Sequence, residues 1–477
     1  MSLDIAVVLA YVTIMLLLGW YGFGRTRNSE EFLLAGRTLG PAMYMGTLAT
    51  IVLGGASTVG TVRMGYVYGI SGIWLCVSFG AGLIAISLFL AKPLMNLRIY
   101  TITQVLERRY NPAARQASAL IMIAYTVMVG VVSMLAAATI LQVLLELPFW
   151  AALMLGAGCV IVYSVVGGMW SITLTDIVQF GIKTVGLMFL LLPICLYRVG
   201  SWDGLTAALP ASAFRFGEIG YGTIVTYLLT YTLGFLIGQD IWQRVFTARS
   251  VRVARYAGTA AGLYCLLYGV VMAVIGMCAR VLLPDLEDPN TAFTAIINLT
   301  LPDGIRGLVI AASIASMMST ASATMLAAST TFTEDLLPRL RGGKASGLGV
   351  NRLCTALVGA VMLGLSLLEN DLIDALLIAY NLLVGGMLVP LVGAVYWARA
   401  TTAGAIASMG LGCVAVIILM IRDGAGANTP LYYGLAVSLA AFVIVSLLTR
   451  PRDDTPAGGV LHTEPAPQAG ATHRAPA

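Results

Sequence analysis

Charge is scarce in this chain. Charged residues make up 10% of its 477 positions, against roughly 25% in a soluble globular protein. A fold so poor in charge cannot cover itself with a water-facing surface, which excludes an ordinary soluble domain. Histidine is nearly missing: His462 and His473 are the only two, both in the C-terminal tail. The apolar body therefore has no histidine for the HExxH zinc site of a membrane protease or for a histidine proton relay. It also has no GxSxG elbow and no paired intramembrane carboxylates, so nothing points to an enzyme. The seven cysteines lie in apolar runs without a CxxC pair, and they read as small buried hydrophobes rather than disulfides or thiolate ligands. The net charge of +5 is scattered over short loops and forms no nucleic-acid-binding face. The N-terminus lacks a basic n-region and a small-x-small cleavage site, so it reads as a first membrane helix and not as a secretory signal.

What is present is hydrophobic length. Hydrophobic residues make up 59% of the chain. They fall into thirteen runs, at roughly 4–23, 40–70, 72–94, 116–142, 149–167, 171–198, 220–243, 258–285, 304–330, 351–367, 371–397, 402–421 and 429–449. An odd number of passes puts the two termini on opposite sides. Most of the 27 basic residues fall on one side if the N-terminus is outside and the C-terminus cytoplasmic. Arg244, Arg249, Arg252 and Arg255 form one of those inner groups. Residues 1–449 read as a single transmembrane domain, and 450–477, rich in Pro, Gly, Ala and charge, as a disordered cytoplasmic tail. No segment outside the runs is long enough for a catalytic or signalling domain.

Three runs carry unusual chemistry. The second contains the pair Gly54–Gly55 followed by Ala56, Ser57 and Thr58, a composition suited to an unwound segment at mid-membrane depth. Close helix packing through small residues is the other reading. The seventh repeats the theme with Gly234, Gly238, Gln239 and Asp240, five runs later, as two matching halves require. The ninth places Ser313, Ser316, Ser319, Thr320, Ser322 and Thr324 on one helix. Ser316, Ser319 and Thr320 are spaced i, i+3, i+4 and share a face. Hydroxyls with free carbonyls offer a hard monovalent cation several oxygens without a full charge, although serines also bond back to their own i−4 carbonyls. Ionisable residues inside the runs are costly and therefore notable: Arg63, Asp176, Lys183 and Asp240.

Six stretches, taken in order, resemble the sodium/solute symporter family of bacterial proline, sialic acid and sugar symporters. They are GRTLGP (36–41), TITQVLERRYNP (101–112), VVGGMWSITLTDIVQF (165–180), GQDIWQRVFTARS (238–250), MMSTASATMLAASTTFTEDL (317–336) and MLVPLVGAVYWARATTAGAIAS (387–408). The resemblance covers residues 1–450. It implies an all-α integral-membrane fold of about thirteen transmembrane helices. Two inverted five-helix repeats of the leucine-transporter type, near 40–198 and 220–397, would contain the discontinuous helices. It further implies sodium-coupled uptake of a small solute by alternating access in a bacterial inner membrane, with the lipid bilayer and the solute as partners and with neither nucleic acid nor an obligate protein partner.

Carried over by motif position, the resemblance implies a main sodium site at the carbonyls of Thr50, Leu53 and Ser316 and the hydroxyls of Ser319 and Thr320. A second sodium site implied for some members falls on Asp176, Ser319 and Ser322, with Ala323 at one hydroxyl position. Solute contacts fall near Ser57, Tyr231, Phe235 and Gln239. Val52 stands where proline carriers hold an acidic residue. Arg63 and Lys183 add positive charge along the expected pathway, which favours an organic carboxylate or an amino acid over a neutral sugar. Lys183, two helical turns beyond Asp176, also leaves open a proton-coupled or ion-independent cycle in which an ammonium stands in for the ion. A membrane sensor built on a symporter-like domain is the remaining alternative.

Overall fold

The computed structural model describes residues 2–342, 344, 346–368, 372–424 and 426–450, and within them the chain is helical with one isolated strand-like bridge. The tail read from the sequence lies outside the described residues from 451 onward. The helices that matter for the site are α1 (Ser2–Phe23), α2 (Pro41–Val52), α3 (Thr61–Tyr68), α4 (Trp74–Ala85), α5 (Thr103–Arg109), α6 (Pro112–Leu145) and α7 (Phe149–Lys183). The second half adds α8 (Leu233–Ile237), α9 (Gln239–Val245), α10 (Val251–Leu282), α11 (Ile305–Thr331), α12 (Leu372–Leu383), α13 (Thr402–Asp423) and α14 (Thr429–Leu448).

Among the described residues, ten helical segments are long and apolar enough to cross a membrane, or eleven when the pair Tyr221–Ile237 and Gln239–Val245, bent by 50°, is taken as one span. Two of the ten, Ala56–Leu97 and Phe149–Val199, run for 42 and 51 residues, about twice the length a bilayer needs. Each covers parts of two of the runs read from the sequence, and each turns at a glycine with positive φ, Gly69 (64°) and Gly168 (55°). At both turns a β-carbon would collide with a carbonyl oxygen, of Ala213 and of Phe32, so only glycine fits.

The interior is organised around α11. Of the most apolar stretch of Ile305–Leu340, 94% is buried. α6 and α7 lie along it, α1 packs on α7, and α10 packs on α2, α3 and α4. α13 and α14 pair with each other at the periphery. The outer surface carries large apolar side chains such as Trp20, Phe89, Ile421 and Leu448, all more than two-thirds exposed, as a lipid-facing surface requires. The cysteines agree with their reading: six are buried, Cys413 is partly so, and all seven are free thiols.

Candidate ion and solute site

The second run breaks where the glycine pair predicts. α2 ends at Val52 because Leu53 leaves the helical region (φ −95°, ψ 65°), and the chain resumes through a wide i→i+5 winding over Ala56–Gly60 into α3. Ending a helix strips its last carbonyls of their amide partners. Two of these are taken up by α11: Ser319 Oγ donates to the Thr50 carbonyl at 3.0 Å, and Thr320 Oγ1 to the Ile51 carbonyl at 2.5 Å. The same two hydroxyls stand 2.9 and 3.5 Å from the Ser316 carbonyl. Three carbonyls and two hydroxyls thus converge in a fully buried spot, and the buried Thr50 hydroxyl beside them has no hydrogen-bond partner. Hydroxyls that spend their protons on carbonyls keep their lone pairs free, which is the donor set a hard cation needs.

Four of the five residues expected for the main sodium site, Thr50, Ser316, Ser319 and Thr320, therefore meet here. Leu53 forms the break itself. Among the described residues its carbonyl receives no side-chain hydrogen bond from α11, and Ile51 stands in its place. The approach depends on Gly54, where a β-carbon would lie 2.5 Å from Thr320 Oγ1 and 3.0 Å from its Cβ. Overpacking of this kind costs roughly 1–3 kcal/mol. Gly54→Ala should therefore weaken sodium binding here by about tenfold or more, read from a sodium-22 binding titration of the purified protein; an unchanged titration would separate Gly54 from the ion.

The set expected for a second sodium site is arranged differently. Asp176 Oδ2 accepts from the Thr47 hydroxyl and, at 3.3 Å, from Arg244 Nη2, while Ser322 Oγ donates to the Ser319 carbonyl at 3.0 Å. No hydrogen bond joins Asp176 to Ser319 or Ser322 among the described residues. Arg244 corrects the sequence reading, which grouped it with inner-loop arginines. After the extended residue Gly238 (ψ 128°), α9 turns into the bundle and buries the Arg244 side chain to 1% exposure against Asp176. Arg244 also reaches the Met169 sulfur.

Beside the ion cluster lies a cavity of about 30 Å³, room for one or two waters. Ser57, Phe235, Gly54 and Thr320 line it, and Ser57 and Phe235 are among the residues expected near a solute. Tyr231 stands one layer behind, edge-on to Phe79 and Tyr380 at 5.2 and 5.1 Å. Gln239 points away: its side chain accepts from the Ile102 amide and donates to the Tyr100 carbonyl, both at 2.9 Å, and clamps the segment leading into α5. Neither Arg63 nor Lys183 lines the cavity. Lys183 is fully buried, its ammonium 5.7 Å from the Tyr268 ring and without a hydrogen-bond partner. Asp240, Phe79 and Tyr380 do line the cavity and were not assigned to the solute from sequence. Asp240 announced itself as an intramembrane carboxylate; Phe79 and Tyr380 sit in plain apolar runs that carry no such signal.

Residues 32–412 match the model of the Sodium:solute symporter family. The chain belongs to the sodium:solute symporter family. As a member it is a sodium-coupled solute symporter and not an enzyme. It is 26% identical to the osmoregulated proline transporter of Bacillus subtilis (strain 168), over 94% of this symporter and 96% of that protein. It is 24% identical to a sodium/proline symporter of Staphylococcus aureus (strain NCTC 8325 / PS 47), over 93% and 90% respectively. In three dimensions it resembles a sodium-coupled sialic acid symporter in a substrate-bound outward-open state, with a TM-score of 0.84 at 18% identity over 94% of this chain and 98% of that one. A nucleobase–cation symporter in a closed conformation aligns with a TM-score of 0.61 at 13% identity, over 88% and 95%. The fold is thus the inverted-repeat transporter fold with discontinuous helices.

Proposed function

We propose that this symporter takes up a compact amino-acid-like solute, binding sodium at the α2 break and the solute in the adjoining cavity, which must widen from the room for one or two waters it has here. The observation that carries this reading is a shared boundary: Gly54 and Thr320 belong to the wall of the cavity, and Thr320 also belongs to the oxygen cluster. An ion that draws the α2 carbonyls onto α11 shapes the cavity wall, so each ligand raises the other's affinity by the same factor. The two curated relatives described above are named as proline transporters, which supports an amino acid over a sugar. The carboxylate preference inferred from Arg63 and Lys183 loses its support, because neither side chain lines the cavity. An inward sodium gradient across a bacterial inner membrane would make the transport uptake, and the basic residues suit an orientation with the N-terminus outside.

Purified symporter in proteoliposomes should accumulate L-proline or a related amino acid when sodium is supplied outside, and lose accumulation when choline replaces it. The buried, unpartnered Lys183 ammonium favours a second reading, in which a proton replaces the ion. Uptake in sodium-free buffer that follows an imposed pH gradient would establish that reading and overturn the first.

Alternating access needs a latch that opens, and one ion-paired network suits it. Asp335, just beyond α11, accepts from Thr101 and Thr103 of the α5 segment, at 2.9 and 2.5 Å, and from Arg115 of α6 at 2.8 Å. Hydrogen bonds to a charged group contribute about 1.5–3 kcal/mol each. Asp335→Asn should therefore favour the state open on the α5 side, and label a cysteine introduced by Ser57→Cys roughly tenfold faster from that side. Equal labelling rates would remove Asp335 from the latch.

A further inference from the structure

The cavity has one charge. Among the described residues that line it, Asp240 alone is ionisable to a full charge at neutral pH; the others are aliphatic, aromatic, glycine or hydroxyl-bearing. Asp240 is 4% exposed and forms no ion pair among the described residues. The neighbouring guanidinium of Arg244 is committed to Asp176. The Asp240 carboxylate accepts the Tyr125 hydroxyl at 3.2 Å, and that hydroxyl stands 3.2 Å from the hydroxyl of Tyr380. Three aromatic rings, Phe79, Phe235 and Tyr380, form part of the wall: Phe79 and Phe235 pack at 4.9 Å, and Tyr125, behind the wall, stands edge-on to Tyr380 at 5.1 Å. The Asp240 carboxylate also takes the backbone amides of Asp240 and Ile241 and feels the Arg244 charge, yet a buried carboxylate outside any ion pair remains costly, and aromatic rings near it attract positive charge. Both features are complementary to a cation.

We infer that Asp240 receives the protonated amine of the solute. The Tyr125 hydroxyl holds the carboxylate in place, and Phe79, Phe235 and Tyr380 pack on the carbons next to the amine. Sodium occupies a different set of oxygens on α2 and α11, so the two cations do not compete for one site. The symporter then selects for an ammonium group and rejects carboxylates that lack one. This inference rests on the reading of the cavity as the solute site.

The competing account is that Asp240, in the first turn of α9, only offsets the partial charge of that helix end. It predicts altered stability on substitution and no discrimination between ligands. The test compares ligands that differ in the amine alone: L-proline with tetrahydrofuran-2-carboxylate, and L-alanine with propionate, each bound to the purified full-length symporter in saturating sodium. A site built to pair with an N–H group rejects the analogue lacking it by at least ~100-fold. The wild-type protein should show that ratio for at least one pair, and Asp240→Asn should shrink it to within about threefold by losing affinity for the amine. Binding of sodium-22 to the same preparations without solute should stay within about twofold of wild type, because no hydrogen bond joins Asp240 to the oxygen cluster. Equal binding of an amine and its isostere overturns the inference. So does a wider panel of organic acids, sugars and nucleobases that yields a tighter ligand without an amine, or the absence of any amine ligand. If Asp240→Asn does not fold, the wild-type ratios decide alone. Loss of sodium-22 binding in the wild type would instead count against the ion site, and leave the amine ratios to be read separately.

Discussion

Replacing Thr320 by alanine is expected to raise the sodium half-saturation of transport by ten- to a hundredfold. The hydroxyl is one of five oxygens in the cluster, and its removal also leaves the Ile51 carbonyl, at the broken end of α2, without its donor. Losing a buried charge-assisted contact costs about 1.5–3 kcal/mol, which corresponds to that range. Because Thr320 also lines the cavity, solute affinity at fixed sodium should fall as well, and saturating sodium should restore part of it by linkage. Thr320→Ser keeps the oxygen and should stay near wild type. Ser319→Ala should behave like Thr320→Ala, since Ser319 bridges the Thr50 and Ser316 carbonyls. Sodium titrations of uptake at several solute concentrations make the measurement. Wild-type sodium dependence in both alanine variants would remove the ion from this place.

Arg244→Met is expected to destabilise the protein by about 3–5 kcal/mol, the usual consequence of leaving one member of a buried ion pair without its partner. Arg244 and Asp176 are 1% and 0% exposed, so water cannot take over from the lost charge. The double variant Asp176→Asn/Arg244→Met removes both charges and should recover most of that loss, because paired removal spares the protein an orphaned ion. Thermal unfolding in detergent measures both effects. The same double variant tests Asp176 as an ion ligand. If the carboxylate serves chiefly to hold α9 against α7, the sodium half-saturation of the double variant stays close to wild type. A large rise would return Asp176 to a second sodium site, and its unpartnered Oδ1 atom would be the oxygen involved.

Much of the site was legible before the fold was known. Scarcity of charge placed the chain in a membrane, because a water-facing surface cannot be built from these residues. The glycine pair 54–55 beside small polar residues suited a break as well as close packing, and the common face of Ser316, Ser319 and Thr320 followed from helical spacing. Both are local properties, set within a few residues of backbone. What escaped were relations between distant segments. Leu53 and Ile51 are two residues apart, and which carbonyl turns toward α11 depends on the dihedral angles at the break. Gln239 and Asp240 are adjacent, yet one clamps the α5 segment and the other faces the cavity: Gly238 redirects the chain into α9, and successive residues of its first turn point in different directions. Arg244 has the composition of a loop arginine and becomes a core residue only because Asp176, 68 positions away, meets it inside the bundle. Composition and periodicity therefore determined that this is a membrane protein with a hydroxyl-bearing helix face, and the resemblance of its motifs to the symporter family added transport. Tertiary packing alone decided which charges are neutralised by the protein and which one, at Asp240, is left facing the cavity, since charge pairing is settled by distance in space and not by distance along the chain.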